Sequence, residues 1–125
     1  MNKMVLIDVN NNQFDIVEVE GLDDYYKALS CSCVNIIRRK IDGKPFVIIC
    51  DDEGFLARSP KISAIDSASR VMLVGNLLIT SGEITAGGEL TSIKTDELVT
   101  VLDNIKQVTT DEYPQPYFIV ANVGY

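Results

Sequence analysis

Arginine and lysine side chains that could hold an anion are concentrated in the middle of the chain. Residues 38–70 contain seven of the eleven basic residues but five of the eighteen acidic ones. This segment therefore carries a net charge of +2 in a protein of net charge −7, and the remainder carries −9. A local cationic zone in an acidic chain favours one anionic ligand over general polyanion binding. Its basic residues are Arg38, Arg39, Lys40, Lys44, Arg58, Lys61 and Arg70.

Phosphate suits these side chains, because a planar guanidinium donates paired hydrogen bonds to phosphate oxygens. Phe55 or Tyr26 could stack on a base, and Asn76 could read a polar edge of the ligand. The expected ligand-binding residues are Arg39, Phe55, Arg58, Lys61, Arg70 and Asn76. Two plainer interpretations stay open. The basic residues could protect an exposed sheet edge from aggregation, and Asn76 could satisfy backbone groups beside Gly75.

The absence of histidine argues against catalysis. It removes Ser-His and Cys-His nucleophiles and the commonest general base near neutral pH. Cys31, Cys33 and Cys50 lack a fourth soft ligand for zinc, so we expect reduced, buried thiols. The acidic residues 51–53 lack the spacing of a calcium loop and are typical of an exposed β-turn. We therefore expect no enzyme, no catalytic residue, no metal and no cofactor.

The composition is that of one globular domain, with 125 residues, 46% hydrophobic and 23% charged. The N-terminal residues lack a signal-peptide pattern, and the longest apolar run is too short to span a membrane. We expect a cytoplasmic protein with no membrane partner. A net charge of −7 argues against binding duplex nucleic acid.

Periodicity indicates which elements position these residues. On the second predicted strand, Phe14, Ile16 and Val19 are expected to face inwards, and Gly75 marks a bulge or a close backbone approach in a later one. Residues 59–69 are predicted to form a surface loop, residues 81–92 a flexible hairpin or loop, and Asp42-Gly43-Lys44 a turn between two strands. Strands are predicted at residues 3–9, 13–19, 33–41, 45–50, 55–57, 71–80 and 117–123, and helices at residues 22–29 and 95–108.

These elements favour an α+β fold, a mainly antiparallel sheet with about two helices, in one domain of residues 1–125. Residues 111–125 form a C-terminal segment with two possible roles. Its β-rich part either completes the home sheet or, as an arm, adds a strand to a neighbouring subunit of a homo-oligomer.

Three central motifs resemble an uncharacterised domain-of-unknown-function family. They are CDDEGFL at residues 50–56, KISAID at residues 61–66 and MLVGNL at residues 72–77, and the similarity extends over residues 14–108. Members of this family are short proteins encoded by phages and mobile elements of Gram-positive bacteria. The resemblance implies no activity and no catalytic residues, but it does imply a setting in the host cell cytoplasm.

Within that setting, small acidic phage proteins often act against host defence, and two mechanisms fit the composition. In the first, a homo-oligomer sequesters a nucleotide-derived immune signal of the cyclic ADP-ribose or cyclic oligonucleotide type. In the second, an acidic inhibitor or DNA mimic binds a host defence protein directly. The cationic zone favours sequestration, with the ligand bound but not turned over.

Overall fold

Ten strands and two helices make up the regular structure of residues 1–54 and 59–125, which the computed structural model describes. The expected α+β class, with mainly antiparallel strands, is confirmed. In chain order the elements are β1 (Asn2–Asp8), β2 (Gln13–Val19), α1 (Leu22–Leu29), β3 (Val34–Ile41), β4 (Lys44–Asp51), β5 (Ile62–Ile65), β6 (Val71–Val74), β7 (Leu77–Ser81), α2 (Thr95–Asp103), β8 (Ile105–Val108), β9 (Tyr117–Val120) and β10 (Val123–Gly124).

Two sheets form the body of the fold. The six-stranded sheet has the order β10-β3-β4-β7-β1-β2, and the four-stranded sheet has the order β6-β5-β9-β8. Neighbouring strands are antiparallel except for β5 and β9, which pair in parallel. Apolar side chains such as Ile48 and Ile119 fill the space between the sheets. Tyr25 and Leu29 of α1 cover the other face of the six-stranded sheet.

Helix α2 is shorter than predicted and is anchored by a buried carboxylate. Its N-cap is Lys94, whose N–H donates to Glu97 over 2.8 Å, and the same carboxylate accepts the Ser81 hydroxyl over 3.0 Å. The predicted extension to Val108 is wrong, because the last four of those residues form β8, which pairs with β9. The i, i+3 spacing of Ile105 and Val108 suits a helix, and the tertiary pairing with β9 overrides it. Within the described residues, neither helix has the length and apolarity to cross a bilayer.

The inward face predicted for β2 differs from the observed one. Phe14 and Ile16 lie opposite Ile7 and Val5 on the face towards the four-stranded sheet, but both remain exposed, although the Phe14 ring contacts Phe118 of β9. Val19 lies on the opposite face, so grouping all three residues on one inward face was wrong. A strand places alternate residues on opposite faces, and positions 16 and 19 cannot share one.

The predicted strand at residues 71–80 is two strands in different sheets. Gly75 lies between β6 and β7 with φ of 76°, and its N–H donates to the Lys61 carbonyl over 2.8 Å. Glycine adopts this conformation without steric cost, so it turns the chain from one sheet to the other and does not form a bulge.

The predicted loop at residues 59–69 contains β5, whose buried Ser63 interrupts the apolar pattern. The predicted strand at residues 55–57 lies outside the described residues.

The C-terminal segment is built into both sheets. β9 lies between β5 and β8 in the four-stranded sheet, and β10 pairs with the end of β3 at the edge of the six-stranded sheet. Asn122, with φ of 57°, redirects the chain between them. These strands therefore complete the home sheets, as one of the two alternatives expected.

The cysteines differ in exposure, so the expectation of three buried thiols was wrong in part. Cys50 is buried, Cys31 is half-buried and Cys33 is exposed. Burial raises the pKa of the Cys50 thiol to about 11. Cys50 is therefore a neutral core residue at physiological pH.

Candidate functional site

A cavity of about 560 Å³ opens where the edges of the two sheets meet. It lies between β10 of the six-stranded sheet and the turn that joins β5 to β6. We call it the edge cavity, and its size is within the range of small-molecule sites. Its polar and aromatic lining residues include Lys40, Asp66, Ser67, Arg70, Asn122 and Tyr125.

The β5–β6 turn that forms one wall is held by its own hydrogen bonds. Asp66 Oδ1 accepts the backbone N–H groups of Ala68 and Arg70 over 2.9 and 2.8 Å, and the Asp66 carbonyl accepts the Ser69 N–H over 3.0 Å. An aspartate that binds the backbone of the following residues stabilises a turn of this kind. The wall therefore presents Arg70 from an ordered segment.

The facing wall comes from the crossing between the sheets and from the β3–β4 turn. The Asn122 carbonyl accepts the Asp42 N–H over 3.0 Å, and the Asn122 side chain donates to Asn104 Oδ1 over 2.7 Å. Asp42 and Gly43 both have positive φ, as expected for the Asp-Gly turn predicted here. These contacts fix the position of Val123 and the residues after it.

Arg39 stacks on an exposed aromatic ring at the mouth of the edge cavity. Its guanidinium carbon lies 4.7 Å from the centre of the Tyr125 ring, and Nη1 donates to the Arg38 carbonyl over 2.7 Å. Among the described residues, the buried Nε of Arg39 has no hydrogen-bond acceptor. None of the ion pairs within residues 1–54 and 59–125 includes Arg39 or Lys40. Both cations therefore keep their attraction for an added anion.

Arg70 is partly neutralised by the turn that carries it. Its Nε lies 2.7 Å from Asp66 Oδ2, although 80% of the Arg70 side chain is exposed. The backbone N–H of Arg70, with its guanidinium and the N–H of Ala68, lowers the pKa of Asp66 below its ordinary value. The remaining guanidinium N–H groups can bind a second anion, because an arginine has five donors in all.

A second cavity, of about 350 Å³, lies where several strand ends and turns meet. We call it the loop-end cavity. Its lining includes Asp51, Lys61, Asn76 and Tyr113. The Lys61 ammonium lies 4.8 Å from the Tyr113 ring centre and 4.4 Å from that of Tyr117, so the two rings already stabilise its charge.

Both ends of the buried Asn76 amide are used by the fold. Its Oδ1 accepts the Val9 N–H over 3.0 Å, and its Nδ2 donates to the Ala28 carbonyl over 3.3 Å. The side chain is 4% exposed. These contacts match the plainer interpretation, in which Asn76 satisfies backbone groups.

The expected site residues are divided between the two cavities. Lys61 and Asn76 line the loop-end cavity, whereas Arg70 lines the edge cavity and Arg39 adjoins it through Tyr125. Within residues 1–54 and 59–125, the two cavities share no lining residue. Phe55 and Arg58 lie outside the described residues.

Sequence reasoning placed Lys40 in the cationic zone but not among the site residues, and it missed Tyr125. Tyr125 reaches the cavity only because the chain crosses between the sheets at Asn122 and pairs β10 with β3. No local pattern indicates that pairing. The aromatic character of the final β-rich segment was the one available signal.

Comparison with known families gives a match over most of the chain. A domain of unknown function, DUF3846, matches residues 1–106. The chain belongs to the DUF3846 family. The edge cavity is partly outside the matched DUF3846 region, since Asn122 and Tyr125 follow it. No curated protein and no solved structure matches the chain.

Proposed function

We propose that this DUF3846 protein binds a nucleotide-derived anion in the edge cavity and holds it without turnover. The observation that carries the proposal is one open cavity of about 560 Å³ that is lined by Lys40, Arg70 and Tyr125, with the Arg39 guanidinium stacked on the Tyr125 ring. A nucleotide needs positive charge for its phosphates and a flat apolar surface for its base. Both features occur here on ordered backbone.

The electrostatics support an anion at this position. Arg39 and Lys40 are adjacent on β3, and neither has a carboxylate partner among the described residues. The third cation, Arg70, forms an ion pair with Asp66. The cavity therefore has an excess of positive charge in a protein of net charge −7. Such a contrast concentrates one anion at one place and repels extended polyanions elsewhere.

The aromatic surface supports a base. Tyr125 is 85% exposed, and one face of its ring is covered by the Arg39 guanidinium. A ring held in this way can stack on a base through its free face, and base–aromatic stacking contributes about 1–3 kcal/mol.

The biological setting of the proposal comes from the sequence motifs at residues 50–56, 61–66 and 72–77. Their resemblance to short proteins of phages and mobile elements of Gram-positive bacteria supports a counter-defence role in the host cytoplasm. In that role the ligand is an immune signal of the cyclic ADP-ribose or cyclic oligonucleotide type. Removal of the signal by tight binding needs no nucleophile and no general base.

Calorimetric titration with a panel of such nucleotides tests the proposal. The panel includes linear nucleotides and inorganic phosphate, so that recognition of phosphate alone is distinguished from recognition of the whole ligand. A ligand at about 100 times its Kd also adds roughly 2.7 kcal/mol to the free energy of unfolding. Mass spectrometry of the released ligand tests turnover, and a chemically altered ligand would contradict passive sequestration.

Two pairs of variants locate the site. Arg70→Ala is expected to weaken binding by about 10- to 100-fold, because a hydrogen bond to a charged group contributes roughly 1.5–3 kcal/mol. Lys27→Ala, an exposed lysine on α1 at the other face of the six-stranded sheet, is the control and leaves binding unchanged. Tyr125→Ala weakens binding through loss of the ring, whereas Tyr125→Phe retains it. Equal affinity in Arg70→Ala and Lys27→Ala would contradict the assignment.

A second candidate function is direct inhibition of a basic host protein. It is favoured by the acidic residues around the start of α1, where the exposed Glu20 and Asp23 and the half-buried Asp24 border a shallow depression beside the exposed Leu22. Acidic and apolar groups together fit a cationic protein surface or imitate DNA. Capture of a host nuclease that is lost in Asp23→Lys but retained in Arg70→Ala would favour this function over sequestration.

A further inference from the structure

The two edge strands of the six-stranded sheet differ in how they are protected. β2 forms one edge and is paired along its length on its inner side only. At the other edge, β10 pairs with β3 only at Ile41 and Lys40. Within residues 1–54 and 59–125, no strand pairs with the outer side of β3 from Val34 to Arg39. Unpaired strand edges of this length are templates for an added strand.

The unpaired stretch of β3 lacks the usual protection by charge. Of the three basic residues of β3, Lys40 lies where β10 already pairs, and Arg39 is folded back onto the Arg38 carbonyl and the Tyr125 ring. Residues 34–37 are Val-Asn-Ile-Ile, uncharged and rich in β-branched side chains. Ile36 is 49% exposed on this stretch. Only Arg38 remains as a charged residue on the free edge.

We propose that the free edge of β3 pairs with the same edge of a second copy, which joins the two six-stranded sheets into one continuous sheet. A symmetric pair of antiparallel strands is an isologous interface that closes as a dimer. β10 pairs with β3 at Lys40 and Ile41, and Tyr125 contacts Arg39. Residues 34–38 of β3 are therefore available to pair with a second copy. Their full antiparallel overlap places the twofold axis at Ile36, opposite Ile36 of the second copy.

This register brings opposite charges together. It sets Arg38 beside Val34 of the second copy, and Val34 lies opposite Asp51 on β4. The three side chains share one face of the continuous sheet, because cross-strand partners point the same way. Arg38 and the other copy's Asp51 are then two strand spacings apart, roughly 10 Å between backbones, which their extended side chains can bridge. The twofold axis produces this contact twice.

β2 is the less suitable edge for self-pairing. Asp15 and Glu18 place a carboxylate on each face of β2, so pairing two copies of this edge would bring four carboxylates together. Ile16 of β2 is 47% exposed, nearly the same as Ile36. It therefore provides a matched control position on the opposite edge. The proposed dimer does not depend on the ligand of the edge cavity.

Sedimentation velocity over a wide range of protein concentration tests the dimer. The expected result is a dimer for the wild-type chain. Ile36→Lys sets two ammonium groups together at the twofold axis and is expected to raise the dimer Kd by on the order of 10- to 100-fold. Ile16→Lys, the control, leaves the Kd unchanged. A wild-type monomer at all concentrations, or equal dimer Kd values in the two variants, would overturn the proposal.

Hydrogen exchange on the wild-type chain provides a test that needs no variant. Alternate N–H groups of a strand point to opposite neighbours, so only part of residues 34–38 direct their amides away from β4. Those amides are expected to exchange more slowly at high protein concentration than at low concentration, while those of β2 do not change. Exchange at residues 34–38 that is independent of concentration, measured across the range in which dimer forms, would show that the dimer uses another surface.

Discussion

Replacement of Asn76 by alanine separates a structural role from ligand recognition. The substitution removes the acceptor of the Val9 N–H, which is fully buried, and the donor to the Ala28 carbonyl. An unsatisfied buried donor costs about 1–3 kcal/mol, and the second bond contributes about 0.5–1.5 kcal/mol. We expect the free energy of unfolding to fall by about 2–4 kcal/mol.

Urea denaturation measures this loss directly. In thermal unfolding, a chain of this size loses about 4 °C of Tm per kcal/mol, so Asn76→Ala is expected to unfold roughly 10 °C below the wild type. The control is Gln107→Ala, an exposed amide on β8 with no side-chain hydrogen bond among the described residues, which should stay within about 0.5 kcal/mol.

Nucleotide affinity completes the test. Because Asn76 lies in the loop-end cavity and not in the edge cavity, Asn76→Ala that remains folded should bind the ligand as tightly as the wild type. A variant of unchanged stability but weakened binding would refute this reasoning. It would restore Asn76 as a residue that reads the ligand.

Three further variants test the packing and electrostatics. Glu97→Ala leaves the Ser81 hydroxyl and the N-cap amide of α2 without their acceptor and should cost about 2–3 kcal/mol in urea denaturation, against about 1 kcal/mol for Glu97→Gln. Gly82→Ala forces a Cβ onto a β4 backbone carbonyl and should cost at least about 2 kcal/mol, whereas Gly87→Ala, with no neighbour closer than 3.9 Å, should cost far less. The pKa of Asp66 lies below 3.8 in the folded state, so its stabilisation is present above that pH and is lost as the pH falls. The stability difference between wild type and Asp66→Asn should therefore shrink below pH 4; a pH-independent difference would contradict the Asp66 assignment.

Local chemistry made part of the fold predictable. The Asp42-Gly43 turn, both central residues of which have positive φ, was expected from the dipeptide alone. The bounds of α1 agree with its apolar spacing. The end of α2 could not be found in this way, because Ile105 and Val108 continue the helical spacing and only their pairing with β9 makes them part of a strand.

The candidate site was less accessible to prediction, because it depends on contacts between residues far apart in sequence. The cationic zone was evident from residue types, but its members separate according to strand face and sheet. Arg39 faces the four-stranded sheet, whereas Lys61 lies under two tyrosines at the loop-end cavity. Tyr125 joins Arg39 only through the pairing of β10 with β3. Gly75 likewise gave no sign that it separates two sheets.

Nuclear magnetic resonance of the isotope-labelled chain, titrated with the tightest nucleotide of the panel, tests the central claim most directly. Chemical-shift changes are expected at residues 66–72 and 122–125, which form the two walls of the edge cavity. Changes confined to Lys61 and Asn76 would place the ligand in the loop-end cavity. Those changes, or no change with any nucleotide, would contradict the account.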